Sequence, residues 1–202
     1  MGLDETASRR GHNYVTMFID MERRAEPVLF ATPGKGKETL EHFSEFLTTH
    51  KGNLEQVLEV VCDMFPAFLS GVAEQLPKAE VTVDWFHIVQ TFTHVLDDVR
   101  KQESRVVPLP RYSRWVVLKK AVADHLTTNQ IKALSELLAQ GFDTAIAWRI
   151  KEHLKWIREA PTLRVARWQI IRFINYATEL VGDSTLLEPV RKALQILANH
   201  AE

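Results

Sequence analysis

The stretch "VVCDMFPAFLSGVAEQLPKAEVTVDWFH", residues 60–87, limits the possible folds more than any other part of the chain. Two short apolar runs, 57–63 and 79–84, flank a helical segment that opens on Pro66. Proline suits a first helical turn, where the missing N–H would have had no partner. A strand, a helix and a second strand in so short a space form a parallel unit with a right-handed crossover. Both strands then run the same way, and their apolarity predicts burial. Asp63 and Asp84 are expected at one carboxyl edge of the sheet, where open α/β sheets bind their ligands.

Upstream the pattern alternates as strands do. In "HNYVTMFIDM", Tyr14, Thr16 and Phe18 face one way and Val15, Met17 and Ile19 the other. "ERRAEP" (22–27) reads as a turn and "VLFAT" (28–32) as a returning strand. With an opening strand over 2–7 these make a three-stranded antiparallel meander. The segment "GKGK" (34–37) lacks the full Walker spacing and reads as a turn before a helix. In that helix Leu40, Phe43, Phe46 and Leu47 share a face, and Gly52 is expected to close it. The predicted class is therefore α/β, a mixed sheet with a meander followed by βαβ. In such a sheet the first and fourth strands can be central neighbours, which makes Asp4 and Asp63 cross-strand partners. Asp63 could equally cap the helix that starts at Pro66, since aspartate favours that position.

After Asp84 no strand alternation recurs. A long amphipathic helix over 86–104 leads into a proline-punctuated linker over 106–112. Helical periodicity over 127–160, opened by a threonine cap, carries Ile146, Ile150, Leu154 and Ile157 as a stripe. Pro161 ends it, and two more helices follow, from about 162 to 181 and from about 186 onward. The expected division is a sheet-bearing region, 1–85, and a helical region, 86–202.

Charge divides along similar lines. The net charge of −1 conceals 10 Lys/Arg against 17 Asp/Glu over residues 1–104, and 15 against 9 over 105–202. The first part should favour cations and the second anions. Paired carboxylates repel unless a cation lies between them. Oxygen ligands of this type suit Mg²⁺ or Mn²⁺. In the second part Arg149, Lys151, Lys155, Arg158, Arg164, Arg167 and Arg172 crowd together, with Trp148, Trp156 and Trp168 among them. Such a stripe fits DNA phosphates, with aromatic rings available to bases. The lone Cys62 excludes an internal disulfide framework. No run of eighteen apolar residues occurs and no secretory signal is visible at the start, so a cytoplasmic, membrane-free setting is expected.

The local text narrows this further. "GLDETASRRGHNYVTMFIDMERRAEPVLF" resembles the first catalytic segment of DDE transposases from the ISL-three group of bacterial insertion sequences, which carry a similar "DE…(K/R)GH.Y.T…D" stretch. "VVCDMFPAFLSGVAEQLPKAEVTVDWFHIVQTFTHVLDDVRKQE" is similar to their second segment. The matching positions are Asp63, Pro66, Ala67, Phe68, Asp84, Phe86, His87, Leu96, Asp97, Val99 and Arg100. More loosely, "RWVVLKKAVADHLTTNQIKALSELL" is similar to the helical part that follows.

The resemblance implies an RNase H-like fold with a large helical insertion. It also implies two divalent ions (Mg²⁺ or Mn²⁺) and phosphoryl transfer at insertion-sequence ends, with DNA as partner at the bacterial nucleoid and a homo-oligomer as a possible assembly. Carried over by residue, Asp4 and Asp63 are the catalytic, metal-binding aspartates, with Glu5, Asp84 and His87 as neighbours of the site. The family's catalytic glutamate lies in an "EG(L/F)N" motif, which these 202 residues do not contain. Glu202 lacks the Gly and Asn that would follow and is not assigned. The expectation is a partial catalytic core, inactive by itself. Alternatives are another RNase H-like nuclease or a non-enzymatic DNA-binding remnant.

Overall fold

A computed structural model describes residues 1–9, 11, 13–118 and 126–199. His12, Glu202 and the "KKAVADH" part of the third resemblance segment lie outside the described residues. The chain forms two compact units, Met1–His87 and Ile88–Glu202.

The first unit is built on a five-stranded sheet of order β3-β2-β1-β4-β5. Strands β1 (Gly2–Ala7), β2 (Tyr14–Ile19) and β3 (Val28–Pro33) form the expected antiparallel meander. β4 (Glu59–Cys62) and β5 (Glu80–Val83) add in parallel on the other side of β1. This mixed topology is consistent with the RNase H-like class. Thr16 and Phe18 are fully buried, so they mark the inward face of β2. Helices α1 (Glu38–Thr49) and α2 (Pro66–Gln75) cover that face. Leu3, Phe18, Val60 and Cys62 meet Leu40, Phe43, Phe68 and Val72 in one core, where the Phe18 and Phe43 rings stack at 4.3 Å. Each such large side chain contributes about 1.5–3 kcal/mol by leaving water. Gly71 lets α1 and α2 approach closely, because a Cβ there would lie 2.9 Å from Leu40 Cγ.

One local expectation fails for an identifiable reason. β5 is not buried: Glu80, Val81 and Thr82 are exposed along the sheet edge, and Thr82 Oγ1 donates to Glu59 Oε1 at 2.8 Å. Helix α1 ends before Gly52, with Lys51 in the left-handed region at φ 61°. Gly52 closes the helix as expected, donating its N–H to Leu47 O in a Schellman motif and leaving room for the Leu47 side chain.

The second unit is helical among the described residues. It contains most of α3 (Trp85–Glu103), then α4 (Ser113–Leu118), α5 (Thr128–Ala139), α6 (Asp143–Arg158), α7 (Leu163–Val181) and α8 (Glu188–Asn199). The expected continuous helix over 127–160 is two helices, because Gly141 takes φ 70° and breaks it. Thr127 does open α5, in a reciprocal capping box with Gln130. Phe92 and Leu96 of α3, Ile150 and Leu154 of α6, Phe173 of α7 and Leu194 of α8 are buried, and the Phe92 and Phe173 rings meet edge to face at 5.9 Å. On α3, Asp97 bonds Arg100 and Lys101. Burial works against that carboxylate's charge, but hydrogen bonds from Lys101 and Arg100 outweigh it and hold its pKa below the usual range. No helix among the described residues is long and apolar enough to cross a membrane.

Candidate functional site

The hydrogen-bond register aligns three carboxylates. Gly2 lies opposite Val61, and Val61 opposite Thr82. Two residues further along these parallel strands come Asp4, Asp63 and Asp84, side by side at the carboxyl edge. Asp84 N–H donates to Cys62 O at 2.8 Å, which holds the last two together. Leu3, Val60 and Cys62 face the helical core, so strand alternation sends Asp4 and Asp63 to the opposite face of the sheet.

Each aspartate uses one oxygen to order its own backbone. Asp63 Oδ1 accepts from Phe65 N at 3.0 Å and Asp84 Oδ1 from Phe86 N at 2.9 Å. Both bonds reach two residues on, as Asx turns do. The helix cap of α2 is Phe65, without a side-chain bond, so Asp63 shapes the turn before the helix and is not its cap. Asp4 Oδ1 accepts from Glu5 N at 2.9 Å. His87 joins the row from the first turn of α3. Its Nε2 lies 3.8 Å from Asp4 Oδ1 and 3.8 Å from Asp84 Oδ2.

Glu5 alternates to the core side of β1 and is half-buried. Burial first, then the charges of Asp63 and Asp4, push its carboxyl above the ordinary range, with Lys35 working the other way. Its Oε2 is buried and has no hydrogen-bond partner. Burial, and next Asp63, push the Cys62 thiol up to about 12, which makes it inert as a nucleophile.

Sequence reasoning passed over Lys35. The "GKGK" turn is fixed by Thr16 Oγ1 donating to Gly34 O at 2.9 Å and by Gly34 at φ 107°. Lys35 Nζ then lies 4.1 Å from the Tyr14 ring centre, within electrostatic reach of Glu5. The signal was available only through strand pairing, which brings residue 34 beside residue 14.

The donor set of Asp4 and Asp63 consists of hard carboxylate oxygens, the chemistry a divalent cation takes, whereas the orphaned Glu5 Oε2 lies on the core side of the strand. Among the described residues, however, no three His, Cys, Asp or Glu side chains converge closely enough to hold one ion. The site presents two neighbouring aspartates with further acidic groups around them.

The basic cluster lies in the second unit. Arg149, Lys155, Arg158, Arg164, Arg167 and Arg172 are exposed on α6 and α7. Lys151 is not: it is 8% exposed, its Nζ donates to Val117 O at 3.1 Å, and Glu152 lies 2.6 Å away. It falls on the buried stripe of α6 beside Ile150 and Leu154, so it cannot contribute to an exposed phosphate-contacting stripe. Trp168 is exposed with Arg172 over its ring at 5.2 Å, while Trp148 and Trp156 are partly buried.

The chain is similar to the transposase for insertion sequence element IS1001 of Bordetella parapertussis, 29% identical over 178 residues covering 83% of this chain and 42% of that protein. It is also similar to the transposase for insertion sequence element IS1557 of Mycobacterium tuberculosis, 30% identical over 102 residues covering 50% of this chain and 22% of the relative. The chain thus spans well under half the length of the curated relatives it matches. No solved structure matches it. A family model described as "Transposase" matches residues 1–202, and the chain belongs to that family, the ISL3-type DDE transposases.

Proposed function

We propose that the sheet unit, with Asp4 and Asp63, is part of the catalytic core that cuts and joins DNA phosphodiester bonds at the ends of an insertion sequence. The observation that carries this reading is the row of carboxylates in register at the carboxyl edge of β1, β4 and β5. Members of DDE families typically use divalent metals, and Asp4 and Asp63 would hold such an ion here. When bound, it supplies the charge that stabilises attacking and leaving oxygens in phosphoryl transfer.

The protein's own residues prepare that place. The Asx turn at Asp63 leaves Oδ2 as the carboxylate oxygen for a ligand. Glu5 concentrates negative potential behind the two aspartates. His87 lies between Asp4 and Asp84, 3.8 Å from an oxygen of each, as a neighbour of the site. The helical region, 86–202, is read as the insertion that contacts DNA. Arg149, Lys155, Arg158, Arg164, Arg167 and Arg172 would meet phosphates, and Lys151 would not.

Calorimetric titration with Mn²⁺ tests the core reading. Asp63→Asn is expected to weaken Mn²⁺ binding by at least about tenfold, since one of few anionic ligands is lost. Equal affinity in the variant and the parent would refute it. These 202 residues alone are expected to bind Mn²⁺ without joining DNA strands. Strand transfer by them would mean that another carboxylate, with Asp84 the first to examine, completes the set.

A further inference from the structure

Residues 111–115, "RYSRW", form a feature that neither the acidic row nor the α6–α7 cations account for. Tyr112 and Trp115 are exposed, at 40% and 64%, although both are large aromatics. Each carries an arginine beside its ring. Arg111 lies 5.1 Å from the Tyr112 centroid and Arg114 lies 5.6 Å from that of Trp115.

Their exposure does not come from a loose segment. Ser113, Val116 and Val117 between and after them are buried. Tyr112 O accepts from both Trp115 N and Val116 N, and the buried Lys151 Nζ holds Val117 O. The anchored backbone also keeps Tyr112 at φ 73°, a left-handed conformation that is costly for a bulky side chain. From residue 104 to 118 the chain has three arginines and no carboxylate. Two exposed aromatic rings with an arginine beside each, in a stretch of sequence without carboxylates, complement a polyanion whose bases can reach the rings. Paired bases present only their edges, so the fit is to an unpaired strand.

We propose that residues 111–115 are a contact surface for single-stranded DNA, with bases stacking on Tyr112 and Trp115 and phosphates meeting Arg111 and Arg114. The proposal rests on the chain being a DNA-handling protein. It does not rest on Asp4 and Asp63 holding a metal.

The test is fluorescence anisotropy with a labelled single-stranded oligonucleotide and the blunt duplex of the same sequence, added to the 202-residue chain. The single strand is expected to bind more tightly than the duplex. Trp115→Ala should weaken it by about 5- to 100-fold, the range found for loss of one base–aromatic stack. Tyr112→Gly is the second variant, because glycine suits a positive φ and keeps the turn. It should lower affinity in the same direction while the melting temperature holds or rises. Arg114→Gln should reduce the slope of log K against log salt by about 0.7, as for one phosphate contact on a single strand. Single-strand affinity unchanged in both aromatic variants would overturn the proposal. So would an equal loss on the duplex, or a loss of self-association in Trp115→Ala with no change in DNA binding. Asp63→Asn should leave single-strand affinity as it is, so failure of the metal reading and failure of this one give different results.

Discussion

Replacing Glu103 should reveal what holds the helical unit together. Glu103 stands in the last turn of α3, where a carboxylate opposes its own helix dipole. It is nevertheless buried, at 6% exposure. Its Oε1 accepts from Asp143 N at 2.8 Å and its Oε2 from Thr144 N at 2.9 Å. These are the first two amides of α6, whose cap residue Phe142 offers no side-chain acceptor. A residue 40 positions upstream therefore caps the helix and meets the positive end of its dipole.

The magnitude follows from the groups involved. A hydrogen bond to a charged acceptor is worth about 1.5–3 kcal/mol net, and a buried unsatisfied N–H costs about 1–3 kcal/mol. Glutamine can accept one of the two N–H groups but turns its amide donor toward the other. Glu103→Gln should then cost about 2 kcal/mol, and Glu103→Ala, which strands both amides, about 3–5 kcal/mol. At about 2–4 °C per kcal/mol for a chain of this size, the glutamine variant should melt about 4–8 °C below the parent. Urea titration followed by circular dichroism gives the free energy. Hydrogen exchange should show faster opening at the amides of Asp143 and Thr144 in both variants. Glu159→Gln, an exposed site on the same unit, serves as the control. Glu103→Gln within about 0.5 kcal/mol of the parent, with unchanged protection at residues 143 and 144, would refute the capping argument.

Three further predictions concern charge. Glu5 has a raised folded pKa, so the folded state binds the extra proton; stability falls as pH climbs from the unfolded value through the folded one and stays lower above it. Glu5→Gln should remove that decline, raising the melting temperature at pH 7 relative to the parent but not at pH 4, and equal pH profiles would count against the stated cause. Lys151→Met should destabilise by about 1–3 kcal/mol through the stranded Val117 carbonyl and the unpaired Glu152, yet leave duplex DNA affinity unchanged. Arg167→Gln should do the reverse, with stability kept and the salt slope on duplex DNA smaller by about 0.9.

What could be read from the sequence was whatever the local period determines. The meander and the parallel unit rest on alternation, turn chemistry and a proline at a helix start, all of which act within a few residues. Once the strand order follows, Asp4, Asp63 and Asp84 come into line with no further information, since parallel strands keep residues in step. Burial of a polar side chain is different, because it depends on what arrives from elsewhere. Arg149 and Lys151 are two residues apart in one helix, and composition cannot separate them. A helical turn puts Lys151 onto the stripe of Ile150 and Leu154, and the carbonyl of Val117 makes the buried ammonium tolerable. Glu103, Lys35 and Tyr112 share this property: each is explained by a partner or an anchor that strand pairing or helix packing brings close. Charge counted along the chain therefore locates a cationic face only after the positions owed to the core are subtracted. Here that subtraction removes Lys151 and leaves Arg149, Lys155 and Arg158 on the open side of α6.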